Sequence, residues 1–310
     1  MRTGKSFRPG FESLETRMVP AFISGNALVI EGGNGADQVL VIEDHQANQI
    51  QVIQNGQVQN FSSAGILNIN ANLGKGNNSF SYRLGGGSDF TDAKNINVVL
   101  GPAVVFMPGK NQATFDLAND GAGGLADVRA NLNISVLGSS GADSVQATFN
   151  MVEDANVRLT TQLRHGDDTV TANIMGDLED SDVTFDLQEA NDLAFQGFKF
   201  KGGNDSMTVL ADADVDLDAG SNLNVLMNGM ARNDMLTFRY DGELDGTLFL
   251  RMDGGAGRDS AQAMITLDNF SDGSLDAIVR GGANGDIVQL LLTDNSNGDV
   301  DILNALSLQD

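Results

Sequence analysis

From Phe22 onward the chain alternates apolar and polar residues in short runs: Val145, Ala147 and Phe149; Val170, Ala172 and Ile174; Val288, Leu290 and Leu292. Period two predicts β-strands with one face buried. Each run follows a glycine-rich turn that ends in Asp or Asn. A second apolar run precedes the turn, as at Leu28 and Ile30, Ile134 and Val136, Phe198 and Phe200, or Ile278 and Val279. Aligning on the acidic or amide residue gives nine anchors: Asp37, Asn78, Asn111, Asp143, Asp168, Asp205, Asp234, Asp259 and Asp286. They are spaced 41, 33, 32, 25, 37, 29, 25 and 27 residues apart, a recurrent unit that tolerates insertions.

Some units read as if they carry a third strand. In residues 211 to 219, ADADVDLDA, the residues Ala211, Ala213, Val215, Leu217 and Ala219 share one parity, and Asp212, Asp214, Asp216 and Asp218 the other. Val183, Phe185 and Leu187 alternate in the same way about thirty residues earlier, one repeat length, which predicts that the two segments stack as neighbouring rungs. Two or three strands per unit around narrow corners are what a parallel solenoid needs, because each coil buries its inner face against the next. The fold class expected is all-β: a right-handed parallel β-helix of roughly nine irregular coils over residues 22–310, one domain. An antiparallel β-sandwich or barrel is the alternative, since turn spacing alone does not exclude it. No helical period is sustained, although FSDGSLDAIV and the C-terminal DILNALSLQD each suit a helical turn; the latter would otherwise cover an open solenoid end. Phe80, Phe149, Phe185 and Phe238 fall at inward parity and are expected core.

The chain of 310 residues holds 37 glycines, 4 prolines and no cysteine, which suits strands and turns and excludes disulfides, thiolate metal sites and thiol catalysis. Its net charge is −24; the first 21 residues hold four basic and two acidic side chains, so the remainder carries −26. Such a surface repels phosphate backbones and anionic lipids, which argues against nucleic acid as a partner. No apolar run reaches the length of a transmembrane span.

The run Phe11-Glu12-Ser13-Leu14-Glu15-Thr16-Arg17-Met18-Val19-Pro20-Ala21 resembles the FExLExRxxPA segment near the N-terminus of large, often repetitive exported proteins of planctomycete-type bacteria. The resemblance covers residues 1–21 and implies a targeting or sorting arm, expected to be disordered, and an exported or cell-surface location.

Residues 32 to 40, GGNGADQVL, match the nonapeptide G-G-x-G-x-D-x-(apolar)-x position for position, and so resemble the calcium-binding β-roll repeats of the repeats-in-toxin family. Residues 254 to 259 match through Asp259, and 281 to 288 match around Asp286 with Asn284 at the fourth position. The resemblance implies Ca2+ as a candidate ligand at Asp37, Asp259 and Asp286. It is local to the turns, because the β-roll motifs run in tandem and these stand alone. One corner supplies fewer oxygens than the six to eight that calcium takes, so two stacked corners, Asp259 with Asp286, are the best candidate. The bland alternative is a structural Asx corner.

Candidates for catalysis are few. His45 lies in a polar loop, EDHQANQ, and His165 in a turn beside Asp167 and Asp168. No nucleophile elbow, zinc-protease helix or phosphate loop is present. The glycine cluster LGGGSDF at 84–90 lacks a following helix and reads as a turn. The function expected is therefore a non-catalytic exported or cell-surface module, structural, adhesive or spacer, facing a surface or matrix component. The alternative is a polysaccharide lyase or hydrolase on the same fold, with Asp182, Asp186, Asp212, Asp214 and Asp216 as its carboxylates.

Overall fold

The computed structural model describes residues 20–102, 109–189, 203–212, 214–296 and 300–308. Residues 1–19 of the arm expected at 1–21, Ala213, and the inward pair Phe198 and Phe200 lie outside the described residues. The predicted alternation is realised as strands whose burial alternates residue by residue. The N-terminal set is β1 (Phe22–Ser24), β2 (Ala27–Glu31), β3 (Gln38–Asp44), β4 (Gln49–Gln54) and β5 (Gln57–Ser62). There follow β6 (Asn68–Asn72), β7 (Ser79–Leu84), β8 (Lys94–Val99), β9 (Asn111–Leu117), β10 (Leu132–Leu137), β11 (Asp143–Phe149) and β12 (Val152–Glu153). The middle holds β13 (Asn156–Leu163), β14 (Thr169–Ile174), β15 (Leu178–Glu179), β16 (Asp182–Glu189), β17 (Ser206–Ala211) and β18 (Asn222–Asn228). The C-terminal part holds β19 (Met235–Gly242), β20 (Thr247–Asp253), β21 (Ser260–Leu267), β22 (Ser274–Arg280), β23 (Ile287–Asp294) and β24 (Asp301–Leu308).

These strands form a solenoid with two long sheets. Sheet A runs β1-β2-β6-β8-β10-β13-β16-β18-β20-β22-β24, and sheet B runs β23-β21-β19-β17-β14-β11-β9-β7-β3-β4-β5. From β2 and β3 onward every neighbour within the coils is parallel, and each coil crosses from sheet A to sheet B through one anchor corner. Nine corners make nine coils, and neither long sheet closes into a barrel. The interior is a continuous apolar core to which Phe80, Phe149, Phe185 and Phe238 each contribute a fully buried ring. Phe149 stacks on Phe185 at 6.0 Å, which joins the two sheets. A third, narrow column closes the coils on the far side: Phe90, Val128, Val152, Leu178, Leu217 and Leu244 bridge one another in parallel and are fully buried.

The N-terminal end is built differently. The 41-residue unit between Asp37 and Asn78 is long because it inserts β4 and β5, which pair antiparallel with β3 and each other. β1 folds back antiparallel on β2, and Ala21 is buried there, its N–H donating to Gln59 Oε1 at 2.8 Å. These reversed strands close one end, as an edge strand requires.

Three expectations are corrected. The described part of 211–219 is a corner: β17 ends at Ala211, Asp214 takes a φ of 60°, and beyond Ala211 the described residue that bridges to neighbouring coils is Leu217. Val215 and Leu217 do point inward, but Ala219 is exposed, and the rung partner of Leu217 is Leu178, since β16 pairs with β13 and β18. FSDGSLDAIV contains β22 and DILNALSLQD contains β24, both strands of sheet A. The strand wins over the helical reading because both pair in parallel with the preceding coil, β22 over its full length and β24 with one bulge that skips Leu303. β24 therefore extends the sheet and does not cover the end.

Candidate functional site

Two constellations of buried polar side chains stand out. The first is the set of nine anchors. All nine are at most 4 % exposed, and each turns into the corner, away from solvent. An Asx side chain on one coil accepts the backbone N–H of the anchor on the coil before it. Asp37 donates to Asn78 Oδ1 at 3.0 Å and Asn78 to Asn111 Oδ1 at 2.9 Å. Asp143 donates to Asp168 at 2.7 Å, Asp168 to Asp205 at 2.9 Å and Asp205 to Asp234 at 2.7 Å. Asp234 donates to Asp259 at 2.8 Å, and Asp259 to Asp286 at 2.9 Å. Asn111 continues the row through backbone and side-chain bonds to Asp143.

Glycine makes room for this ladder. A Cβ on Gly254 would stand 2.4 Å from the Gly281 carbonyl oxygen and 2.6 Å from Asp259 Cβ, which no side chain tolerates. Gly255 follows with a φ of 91°, a left-handed conformation that glycine adopts without strain.

The rungs differ in how the second side-chain atom is used. Asn78 donates its Nδ2 to the Leu100 carbonyl of the next coil at 2.9 Å, and Asp37 Oδ2 accepts from Gly33 N–H at 2.7 Å. The Oδ2 atoms of Asp168, Asp205, Asp234 and Asp259 are buried with no hydrogen-bond partner. Burial disfavours their charge, so the carboxyl pKa rises from the usual 3.8 to about 9 at Asp168, about 6 at Asp205, about 7 at Asp234 and about 6 at Asp259. Neighbouring carboxylates add to the rise, while each amide donor opposes it. The candidate calcium residues Asp259 and Asp286 are thus brought together on adjacent rungs, and Asp37 stands at the opposite end of the row.

The second constellation was not legible as a site from the sequence. Glu43 continues the inward parity of Val39 and Val41 on β3, and its side chain is fully buried. Lys94 opens β8 at an inward position, and its ammonium lies 2.9 Å from Glu43 Oε1 and donates to the Ile66 carbonyl at 2.9 Å. Tyr82 donates its hydroxyl to Glu43 Oε2 at 2.6 Å. Burial and the adjacent Glu43 hold that phenol protonated, its pKa well above the ordinary value. His45, in the β3–β4 hairpin, is expected in a polar loop, but its side chain is only 4 % exposed. The corner of the next coil covers it: the glycine cluster at 84–90 forms the predicted turn, Ser88 Oγ accepts His45 N–H at 3.3 Å, and Phe90 meets the imidazole edge-on at 5.4 Å. Asp92, half exposed, places Oδ2 3.4 Å from His45 Nδ1. Glu43, His45 and Asp92 each offer a ligand atom within 4.8 Å of the others, a geometry able to hold a metal ion. The signal available in the sequence was a pair of opposite charges, Glu43 and Lys94, at core parity.

The carboxylates of the polysaccharide alternative do not share a strand: Asp182 and Asp186 lie on β16 in sheet A, and Asp212, Asp214 and Asp216 on the corner after β17. Asp186 binds Arg158 at 3.1 Å. The outer faces carry some columns of short polar residues; on sheet A, Asn133, Asn95 and Asn68 form one hydrogen-bonded row at 3.1 Å per step. No helix among the described residues is long and apolar enough to cross a membrane. No family model, no curated protein and no solved structure matches the chain.

Proposed function

We propose that this chain is a non-catalytic exported or cell-surface β-solenoid, a structural, adhesive or spacer module that meets a surface or matrix component through its polar outer faces. The observation that supports this reading best is the anchor ladder, which uses the most conspicuous acidic residues of the sequence as internal struts between coils. Groups buried in this way hold the spacing of a rod and are withdrawn from substrate. The outward Asn, Ser and Thr columns suit a hydrated contact surface. Calcium enters this reading at the Asp259 and Asp286 rungs, whose mutual repulsion a divalent cation relieves.

The test of location is protease treatment and antibody labelling of intact cells that express the full chain. Accessible protein supports the proposal; protein protected until lysis and recovered with the cytosol overturns it. The calcium part is read separately, from thermal unfolding in chelator and in calcium for the wild type and an Asp259→Asn/Asp286→Asn variant. A calcium-dependent rise that the variant lacks supports metal at these rungs. Coincident curves remove calcium and leave the scaffold reading standing.

A further inference from the structure

His45 is the least explained buried group in the molecule. An imidazole excluded from water normally satisfies its ring nitrogens, because an unpaired buried polar atom costs free energy. Here Nδ1 and Nε2 are both buried without a hydrogen-bond partner, yet each faces a carboxylate: Asp92 Oδ2 is 3.4 Å from Nδ1, and Glu43 Oε1 is 4.0 Å from Nε2. Lys94 neutralises Glu43 but leaves the imidazole untouched. Two carboxylates and one ammonium give the corner a formal charge of −1 before the histidine is counted.

We propose that this corner binds one divalent transition-metal ion of the zinc class, held by His45, Glu43 and Asp92, with solvent completing the coordination. A single ion takes one imidazole nitrogen. Ligands about 2.0–2.1 Å from a tetrahedral ion stand roughly 3.3 Å from one another, close to the 3.4 Å between His45 Nδ1 and Asp92 Oδ2, so the ion sits on Nδ1 with Asp92 and Glu43 closes in from its place within 4.8 Å. Imidazole and carboxylate together suit zinc, nickel or cobalt, whereas calcium takes oxygens alone. The surroundings do what an outer shell does at a metal site. Tyr82 orients the Glu43 carboxylate, Phe90 fixes the imidazole plane, and the turn at Gly86 and Gly87 packs on the hairpin that carries His45. Gly86 takes a φ of 74°, a left-handed conformation that favours glycine, at the point where the turn meets the Asp44 carboxylate. Asp92, with its side chain 53 % exposed, is the mouth through which an ion enters. The ammonium of Lys94, 2.9 Å from the same Glu43 oxygen that faces His45, opposes the ion and lowers the affinity. The ion would tie the antiparallel hairpin of the first coil to the corner of the second, at the end of the solenoid where strand direction changes.

The chain holds two histidines, which makes the test direct. Chelator-treated full-length protein, labelled with 15N, is titrated with zinc alone while imidazole resonances are followed by NMR and binding is followed by calorimetry. The expected result is one bound ion, a shift of the His45 resonances, and none at His165, which serves as the internal control. Asp92→Asn, at an exposed position that leaves the fold intact, should weaken binding by more than the ~10-fold typical of losing an outer-shell partner. His45→Ala should abolish the saturable phase, and calcium in excess should not displace zinc. Unmoved His45 resonances, or wild-type affinity in both variants, would overturn the assignment and place any bound zinc on surface carboxylates.

Discussion

Replacing Asp234 by Asn should stabilise the protein at alkaline pH and do little in acid. Asp234 accepts the Asp205 amide through Oδ1 at 2.7 Å, a bond that Asn retains, while its Oδ2 is buried without a partner. Burial first, then the Asp205 and Asp259 carboxylates, raise its pKa in the folded state from 3.8 to about 7. Between these values the folded chain holds a proton that the unfolded chain releases, so stability is greatest below the unfolded value and falls as pH rises to about 7. A shift of about three units at ~1.4 kcal/mol each sets a ceiling of roughly 4 kcal/mol. Neighbouring rungs compete for the same protons and water screens part of the charge, so about half, ~2 kcal/mol, is the working magnitude. Asn carries no charge in either state and can donate from Nδ2, as Asn78 does to Leu100. The assay is urea unfolding followed by circular dichroism at several values between about pH 4 and pH 8. The variant should gain ~2 kcal/mol over the wild type at the alkaline end and converge with it in acid. Parallel pH profiles for the two proteins would refute the reasoning, because the loss would then lie outside the ladder.

Other perturbations separate the remaining contributions. Lys94→Met leaves Glu43 charged and unpaired in the core and should cost about 3–5 kcal/mol in urea unfolding. The double variant Lys94→Met/Glu43→Gln, which removes the charge as well, should recover much of that loss. Gly254→Ala places a methyl against the Gly281 carbonyl and Asp259 Cβ; a loss of more than ~2 kcal/mol in chemical unfolding is expected, larger than for an exposed glycine with open space and no positive φ such as Gly35. Phe238→Ala opens a cavity in a sheet B column between Val209 and Ala263, and thermal or urea unfolding should report a cost of ~3–5 kcal/mol.

The fold was legible wherever alternation and turn chemistry agreed. β11, β14 and β23 follow their glycine corners with uninterrupted period two, and all nine anchors occupy equivalent corners. The 211–219 segment misled because alternation records parity and not pairing: Val215 and Leu217 are inward in a corner as they would be in a strand, and the positive φ of Asp214 has no apolar signature. β22 and β24 were obscured because short runs such as SLDAIV satisfy both periods until a neighbouring strand decides. The direction of the anchor side chains was also hidden. An Asp in a glycine turn serves equally as an outward ligand or an inward strut, and the choice rests on the amide of a residue 25 to 41 positions away. The His45 corner depends on the same kind of distant contact, since Asp92 and Phe90 arrive from the next coil.

The ladder also makes the molecule a ruler with fixed gradations. Every rung joins one coil to the next by the same amide-to-side-chain step, and neighbouring parallel strands sit about 4.8 Å apart, so nine coils reach about 40 Å. An insertion at a corner, such as the one that bridges Asn119 to Leu125, thickens the rod without lengthening it, whereas the insertion in the 41-residue unit adds β4 and β5 to the end of sheet B. Between the ends, reach changes by whole coils gained or lost. Excision of residues 235–259 would leave Asp234 facing Asp286 in place of Asp259, the same partner chemistry one gradation shorter.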